Sequence, residues 1–210
     1  ISKVTFTGST HTGAAIMAAC AQSGTKPVTL ELGGKSPQLV FADAPDLART
    51  AQMIAGAISG NAGQVCLAGS RLIVERKVAG QLMDGITAAF AALKAGHTWH
   101  ADSTLAPIIR PSDAQRIDAV VQRSVQAGAQ LFTGGRFAQV EGDGGFYEPT
   151  ILTGVHSAME AVRDEIFGPV LAVQVFDSEE EALLLAEHPS YGLAAGVHTG
   201  DIGRALRCMR

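Results

Sequence analysis

Cysteine is scarce in this 210-residue chain: Cys20, Cys66 and Cys208 are three, odd in number and widely scattered. That excludes a disulfide framework, and a chain of this size needs none, because folding buries roughly 70% of the surface it exposes when unfolded. The cysteine usage predicts a reducing, cytoplasmic setting. Charge is thin as well, at 17% of residues with a net charge of −4. This balance argues against an electrostatic binder of nucleic acid or of an anionic membrane surface. No apolar run approaches the ~18 residues of a membrane span, and no signal peptide opens the chain. There is no internal repeat and no low-complexity linker. An initiator Met is also missing, and the chain opens directly onto Val4–Thr7, which reads as a strand. It closes on Ile202, Ala205, Leu206 and Met209, one face of a helix without a C-cap, so both ends predict a piece of a longer chain.

What is present is apolar and glycine-rich: 47% hydrophobic residues and 24 Gly. This excludes a disordered chain and predicts many tight turns or close backbone approaches. Short apolar runs alternate with longer amphipathic ones, which predicts an α/β fold with largely parallel strands. Strands are expected at Val4–Thr7, Val28–Leu30, Gln38–Phe41, Leu72–Val74, Gln130–Phe132, Val170–Phe176 and Leu193–Val197. Helices are expected over Thr12–Ser23, from Ala44 or Pro45 (capped by Asp43) towards Asn61, and from the end of the Leu72 strand to about Leu93. A looser stretch, Ala95–Arg110, leads to a helix capped by Ser112 and ending near Gly128. Gly134–Gly145 reads as a hairpin or loop. Ser178 caps a helix whose first turn, Glu179-Glu180-Glu181, suits the helix dipole and reads as a solvated start.

Four places can carry chemistry. In Phe6-Thr7-Gly8-Ser9-Thr10-His11-Thr12-Gly13 a strand runs into a helix start, whose N–H groups favour phosphate. Its Gly-x4-Gly spacing is not the usual dinucleotide fingerprint, so an ordinary strand-to-helix turn remains open. Glu31 ends an apolar strand before Leu32-Gly33-Gly34-Lys35. At that edge of an open α/β sheet a half-desolvated carboxyl has a raised pKa and can act as a general base; a solvated or paired Glu is the alternative. Cys66 lies between glycines in Asn61-Ala62-Gly63-Gln64-Val65-Cys66-Leu67-Ala68-Gly69. Backbone N–H groups there can lower a thiol pKa and hold an oxyanion, whereas Cys20, on a helix face with Ile16 and Met17, and Cys208 read as small buried apolar side chains. Finally, Glu165 and Phe167 stand two apart before Gly168-Pro169. In extended chain they point the same way, a carboxylate for a ribose hydroxyl and a ring for a flat partner; a surface Glu beside a core Phe is the alternative.

Taken together, these motifs resemble the aldehyde dehydrogenase superfamily from Val4 to the last residue. Glu31-Leu32-Gly33-Gly34-Lys35 resembles the family's general-base signature, and Asn61-x-Gly63-Gln64-x-Cys66, 35 residues further on, its catalytic-cysteine signature. Glu165-Ile166-Phe167-Gly168-Pro169 and Tyr191-Gly192-Leu193 are further matches. The resemblance implies a mostly parallel three-layer α/β catalytic domain over 33–210, truncated at its C-terminal end, and the last edge of a Rossmann-like dinucleotide-binding domain over 1–32. It implies a parent chain roughly twice as long, by the usual size of a two-domain α/β enzyme. The implied reaction is oxidation of an aldehyde to an acid with NAD or NADP. Cys66 would be the nucleophile and Glu31 the base for hydrolysis, which favours the hydrolytic branch over acyl transfer to coenzyme A. Cofactor contacts would fall to Gly8, Ser9, Gly13, Leu32, Gln115, Glu165 and Phe167, with no metal, in a parent that is a homodimer or homotetramer. Ser59 and Gly60 depart from the pattern by being small, which suggests a wide tunnel for an aromatic or medium-chain aldehyde between the apolar flanks Val65 and Leu67. Glu187 replaces a common Asn, and His11 a frequent acid, the latter reading as an exposed loop residue. A non-catalytic fragment lacking most of the cofactor site is one alternative. A thiol hydrolase pairing Cys66 with a histidine is another, although none of the six His sits in a recognisable motif.

Overall fold

The structure is a computed structural model that describes residues 1–140 and 145–209. Strands β1 (Val4–Thr7) and β2 (Val28–Glu31) pair in parallel as a two-stranded sheet, joined by helix α1 (Thr10–Gln22). The remaining strands form one six-stranded sheet in the order β5-β6-β7-β4-β3-β8. They are β3 (Pro37–Val40), β4 (Arg71–Glu75), β5 (Gln130–Thr133), β6 (Thr150–Thr153), β7 (Val170–Phe176) and β8 (Gly196–His198). All pairs are parallel except β5 with β6. Helices α2 (Leu47–Ser59) and α3 (Arg76–Ala91) cover one face. Helices α4 (Pro111–Gln126), α5 (Glu160–Arg163), α6 (Glu179–Ala186) and α7 (Ile202–Cys208) cover the other. The result is a three-layer α/β architecture.

The layers follow from side-chain periodicity. In α2, Ala51, Ile54, Ala55 and Ile58 are buried at helical spacing against Val40, Leu72 and Val74. Burying each Ile contributes ~2 kcal/mol. The opposite pleats of the same strands, Leu39, Phe41 and Ile73, pack with Phe176 beneath α6. Strands buried on both sides read as continuous apolar runs, as expected for a parallel sheet.

Several boundaries differ from expectation for identifiable reasons. Helix α1 begins earlier than Thr12, because the Ser9 hydroxyl caps it by accepting from the Thr12 N–H at 3.2 Å. Helix α2 is capped by Asp46 rather than Asp43; the Asp43 carboxylate instead accepts from the Thr199 hydroxyl at 2.9 Å and from Arg204 at 2.7 Å. Helix α4 starts at Pro111, whose ring fits the first helical position, so Ser112 is not its cap. The last strand lies at Gly196–His198, later than expected. Strand β6 and the short α5 carried no periodic signal at all. Cys20 is buried as expected, but Met17 on the same helix is 54% exposed. Part of the Gly134–Gly145 turn, residues 141–144, lies outside the described residues.

Candidate active site

Three loops converge, and they touch at glycines. The first leaves β2 through Glu31-Leu32-Gly33-Gly34. The second follows α2 as a single 3-10 turn (Gly60–Gly63) and carries Cys66. The third is Asp164–Pro169, ahead of β7. A Cβ on Gly33 would overlap the Glu165 carboxylate, and one on Gly34 would overlap the Cys66 carbonyl. A Cβ on Gly63 would overlap the Gly168 carbonyl. The Glu31 strand therefore exits between the Cys66 and Glu165 loops, and only glycine leaves room for that crossing.

The Cys66 loop is strained and held. Asn61 and Ala62 take φ of 49° and 53°, and Gly63 follows at 72°, a left-handed run that disfavours side chains. Asn61 and Gln64 secure it. The Asn61 amide donates to the Gln64 carbonyl at 3.1 Å, and the Gln64 amide donates back to the Asn61 carbonyl at 3.0 Å and to Pro107 at 3.1 Å. The Gln64 side-chain oxygen accepts from the Ile109 N–H at 2.9 Å. These two residues are matched in the motif, yet their bracing role is not visible in one-dimensional spacing.

Thr7, Gly8, Ser9, Glu31, Leu32, Gly33, Gln64, Val65, Cys66, Glu165 and Phe167 line one cavity of about 580 Å3. Cys66 is half-buried there, with Val65 and Leu67 exposed on either side. Gly8, Ser9, Leu32, Glu165 and Phe167 share the cavity with Cys66 and Glu31. Gly13 does not line it: it is buried where a Cβ would meet the Leu32 side chain at 2.8 Å, so it sets the approach of α1 to β2. Gln115 stands exposed on α4 and is not among the lining residues. Its neighbour Arg116, which sequence spacing did not single out, donates to the Ile166 carbonyl at 2.9 Å and so supports the Glu165–Phe167 segment. A second hollow of about 680 Å3 runs along α3, β5 and the far end of β7, and holds none of the candidate residues.

Electrostatics separate the two acids. Glu165 is half-buried, accepts from the Gly34 N–H at 3.2 Å, and has its carboxyl pushed above the usual range by burial, with Gly34, Lys35 and Arg116 opposing. Glu31, by contrast, is exposed, so the half-desolvated setting expected for it is not what the structure shows; it ends a two-stranded sheet whose outer face is uncovered. Lys35 is 2% exposed, and its ammonium has no hydrogen-bond partner among the described residues. Burial first, then Arg71, lower it to about 7. Phe167 has φ of 54°, so the extended-chain reason given for its pairing with Glu165 does not hold; both reach the cavity through a left-handed turn instead. Ser59 is buried with its hydroxyl donated to the Ala55 carbonyl at 2.7 Å and does not border this cavity. His11 is exposed in the first turn of α1 rather than in a loop. No histidine lines the cavity among the described residues, and no cluster of three or more metal-binding side chains occurs among them. No helix among them is long and apolar enough to cross a membrane.

A chain with this site can be set beside known proteins. The model of the aldehyde dehydrogenase family matches residues 1–210. A betaine aldehyde dehydrogenase of Bacillus subtilis is 40% identical over 206 residues, covering 97% of this chain and 42% of that protein. An aminoaldehyde dehydrogenase 2, peroxisomal, of Malus domestica is 40% identical over 207 residues, covering 99% of this chain and 41% of that protein. Among solved structures, an indole-3-acetaldehyde dehydrogenase of P. syringae in complex with NAD+ and IAA superposes with a TM-score of 0.96 at 39% identity, covering 100% of this chain and 42% of the other. An NAD-dependent aldehyde dehydrogenase from Sinorhizobium meliloti gives 0.94 at 36% identity, covering 100% and 41%. The chain thus spans about 41–42% of the length of these relatives.

Proposed function

The chain belongs to the aldehyde dehydrogenase family, and from that premise we propose that the protein carrying it oxidises an aldehyde to a carboxylic acid with NAD or NADP. One observation carries the reading: a cysteine, two carboxylates, an exposed aromatic ring and a helix N-terminus share a single cavity. The cavity fits the nicotinamide end of a dinucleotide. Glu165 offers a carboxylate to ribose hydroxyls, Phe167 a flat ring, and Gly8 and Ser9 the start of α1 for phosphate. Gln115, outside the cavity, would serve only a part of the ligand that extends beyond Phe167. Bound there, the dinucleotide supplies the hydride acceptor.

The residues of the chain do the rest. The Cys66 thiolate forms a bond to the aldehyde carbon, and the Cys66 N–H holds the resulting oxyanion. When the carbon loses its hydride, the acyl group remains on Cys66 as a thioester. Glu31 then takes a proton from water, the water oxygen bonds to the acyl carbon, and the Cys66 sulfur leaves. Val65 and Leu67 flank the sulfur with apolar side chains and support an uncharged aldehyde; a strong preference for a charged one would refute that part. Residues 1–32 are read as the edge of a dinucleotide-binding domain and 33–210 as the catalytic domain. A cytoplasmic homodimer or homotetramer is the assembly consistent with this reading.

In the intact protein Cys66→Ala should abolish NAD(P)H production, and Glu31→Gln should permit a burst but slow turnover. Wild-type turnover by Cys66→Ala sinks the assignment. Exposure of Glu31 favours a second reading, in which the 210-residue chain alone is non-catalytic and binds no dinucleotide. Stoichiometric NAD binding by residues 1–210 in calorimetry refutes that one.

A further inference from the structure

His188 follows α6 and uses both of its ring nitrogens. Nε2 lies 2.8 Å from the Arg163 carbonyl oxygen. Nδ1 accepts from the Ser190 and Tyr191 N–H groups, each at 3.1 Å. A carbonyl only accepts and a backbone N–H only donates, so the geometry requires a neutral ring with its proton on Nε2. The ring also lies 4.9 Å from that of Tyr191.

The two segments joined in this way both bear on Glu165. Arg163 precedes Asp164-Glu165 directly. Tyr191 lies against the Glu165 backbone. Two residues on, Leu193 meets Gly34, whose N–H binds the Glu165 carboxylate. The chain enters His188 at a fixed point as well, because the buried Arg71 donates to the Leu185 carbonyl at 2.8 Å and the Ala186 carbonyl at 2.6 Å at the end of α6.

We propose that His188 is a positioning residue for Glu165: its neutral ring ties Arg163–Glu165 to Tyr191–Leu193, and protonation of Nδ1 releases that tie and weakens dinucleotide binding. The proposal rests on the role given to Glu165 above. A protonated Nδ1 would confront two N–H donors and strand both. The charged groups facing the ring are Arg71 from β4, Lys35 from the loop before β3, and Asp164 after α5. Burial, Arg71 and Lys35 hold the imidazole below its ordinary value, against the Arg163 carbonyl and Asp164. The ring therefore stays neutral at physiological pH, and its tie is lost as the pH falls below the usual histidine range.

The test is the dinucleotide KM and kcat of the intact protein from about pH 8 to pH 5, a span that crosses the histidine range. His188→Leu, which removes three hydrogen bonds, should raise KM about tenfold near pH 8, where the wild-type ring is neutral, and by progressively less towards pH 5, with little change in kcat. His188→Asn places a non-titrating acceptor where Nδ1 stands, so it should keep KM within about threefold of wild type at neutral pH and lose most of the acid rise. That flattening separates His188 from Glu165, whose own titration persists in the variant. Should His188→Leu fail to fold, the His188→Asn profile decides alone. An acid rise in KM that is identical in wild type and His188→Asn overturns the proposal, as does a wild-type KM in His188→Leu. Absence of any dinucleotide binding by the wild type overturns the proposed function and this inference with it, whereas binding that is indifferent to His188 overturns the inference only.

Discussion

Replacing Gly63 by Ala tests the claim that the site is assembled by backbone crossings. Gly63 has φ of 72°, where an alanine costs ~1 kcal/mol more than glycine. Its Cβ would also overlap the Gly168 carbonyl and come within 2.7 Å of the Pro169 nitrogen. Neither neighbour can rotate away as the end of a long side chain would, and overpacking against such neighbours costs ~1–3 kcal/mol. The sum is about 2–4 kcal/mol, a large part of the ~5–15 kcal/mol that keeps a typical domain folded. Gly56 supplies the opposite case. It lies exposed within α2, a Cβ there meets nothing within 4 Å, and Gly56→Ala should stabilise by ~0.5–1 kcal/mol. Urea unfolding of both variants gives the free energies, and the rate of Cys66 alkylation by iodoacetamide reports on the loop itself. Gly63→Ala should lose stability and change that rate, while Gly56→Ala does neither. A Gly63→Ala protein within ~0.5 kcal/mol of wild type, with unaltered alkylation, would refute the reasoning.

Two further outcomes follow from buried polar groups. Lys35 titrates near 7 when folded and at its ordinary 10.5 when unfolded. The unfolded chain thus binds the extra proton between those values, and the Lys35 contribution to stability falls as the pH drops from 10.5 towards 7, at up to ~1.4 kcal/mol per pH unit. Lys35→Met should remove that slope in urea titrations at stepped pH, and an unchanged slope would count against the burial argument. Gln64→Leu loses the bonds to Asn61, Pro107 and Ile109. It should cost ~2–3 kcal/mol in the same assay, at about 1 kcal/mol per bond, and a cost below ~0.5 kcal/mol would show that the brace is dispensable.

Much of the fold was legible because its signals are local. The Val170–Phe176 strand reads directly from its unbroken apolar run, and the buried stripe of α2 from its spacing. The missing pieces lacked such signals. Strand β6 has four residues whose burial on both faces leaves no alternation to detect, and α5 is a single turn. Capping errors arose where two acids compete: Asp43 and Asp46 both precede α2, and only the tertiary partners Thr199 and Arg204 draw Asp43 away. At the site, the residue types and their spacing pointed to Cys66, Glu31, Glu165 and Phe167. Exposure did not follow from sequence, since whether Glu31 is covered depends on what packs over β2. Lys35 was read only as part of its motif, its burial being a tertiary matter, and Arg116 and His188 escaped notice because their contacts to Ile166 and Arg163 span distant parts of the chain.

The strain in the site explains which distances are fixed. Asn61, Ala62 and Phe167 all have left-handed φ, and each such residue costs on the order of 1 kcal/mol that the surroundings must offset. The offsets are identifiable: the Asn61–Gln64 brace on one loop and the Arg116–Ile166 bond on the other. The two strained loops meet where Gly63 abuts Gly168, and both feed into neighbouring strands of the same sheet, β4 and β7. Cys66 and the Glu165–Phe167 pair are therefore held in one scaffold. Glu31 is not. It ends a separate sheet and runs to the others through Gly33 and Gly34. A change in how the two sheets sit alters the distance from Glu31 to Cys66 while leaving the relation of Cys66 to Glu165 intact. In the proposed reaction, then, attack by Cys66 draws on the β4–β7 scaffold, whereas hydride loss, through Gly8 and Ser9, and hydrolysis of the thioester, through Glu31, also depend on how β1 and β2 dock against it.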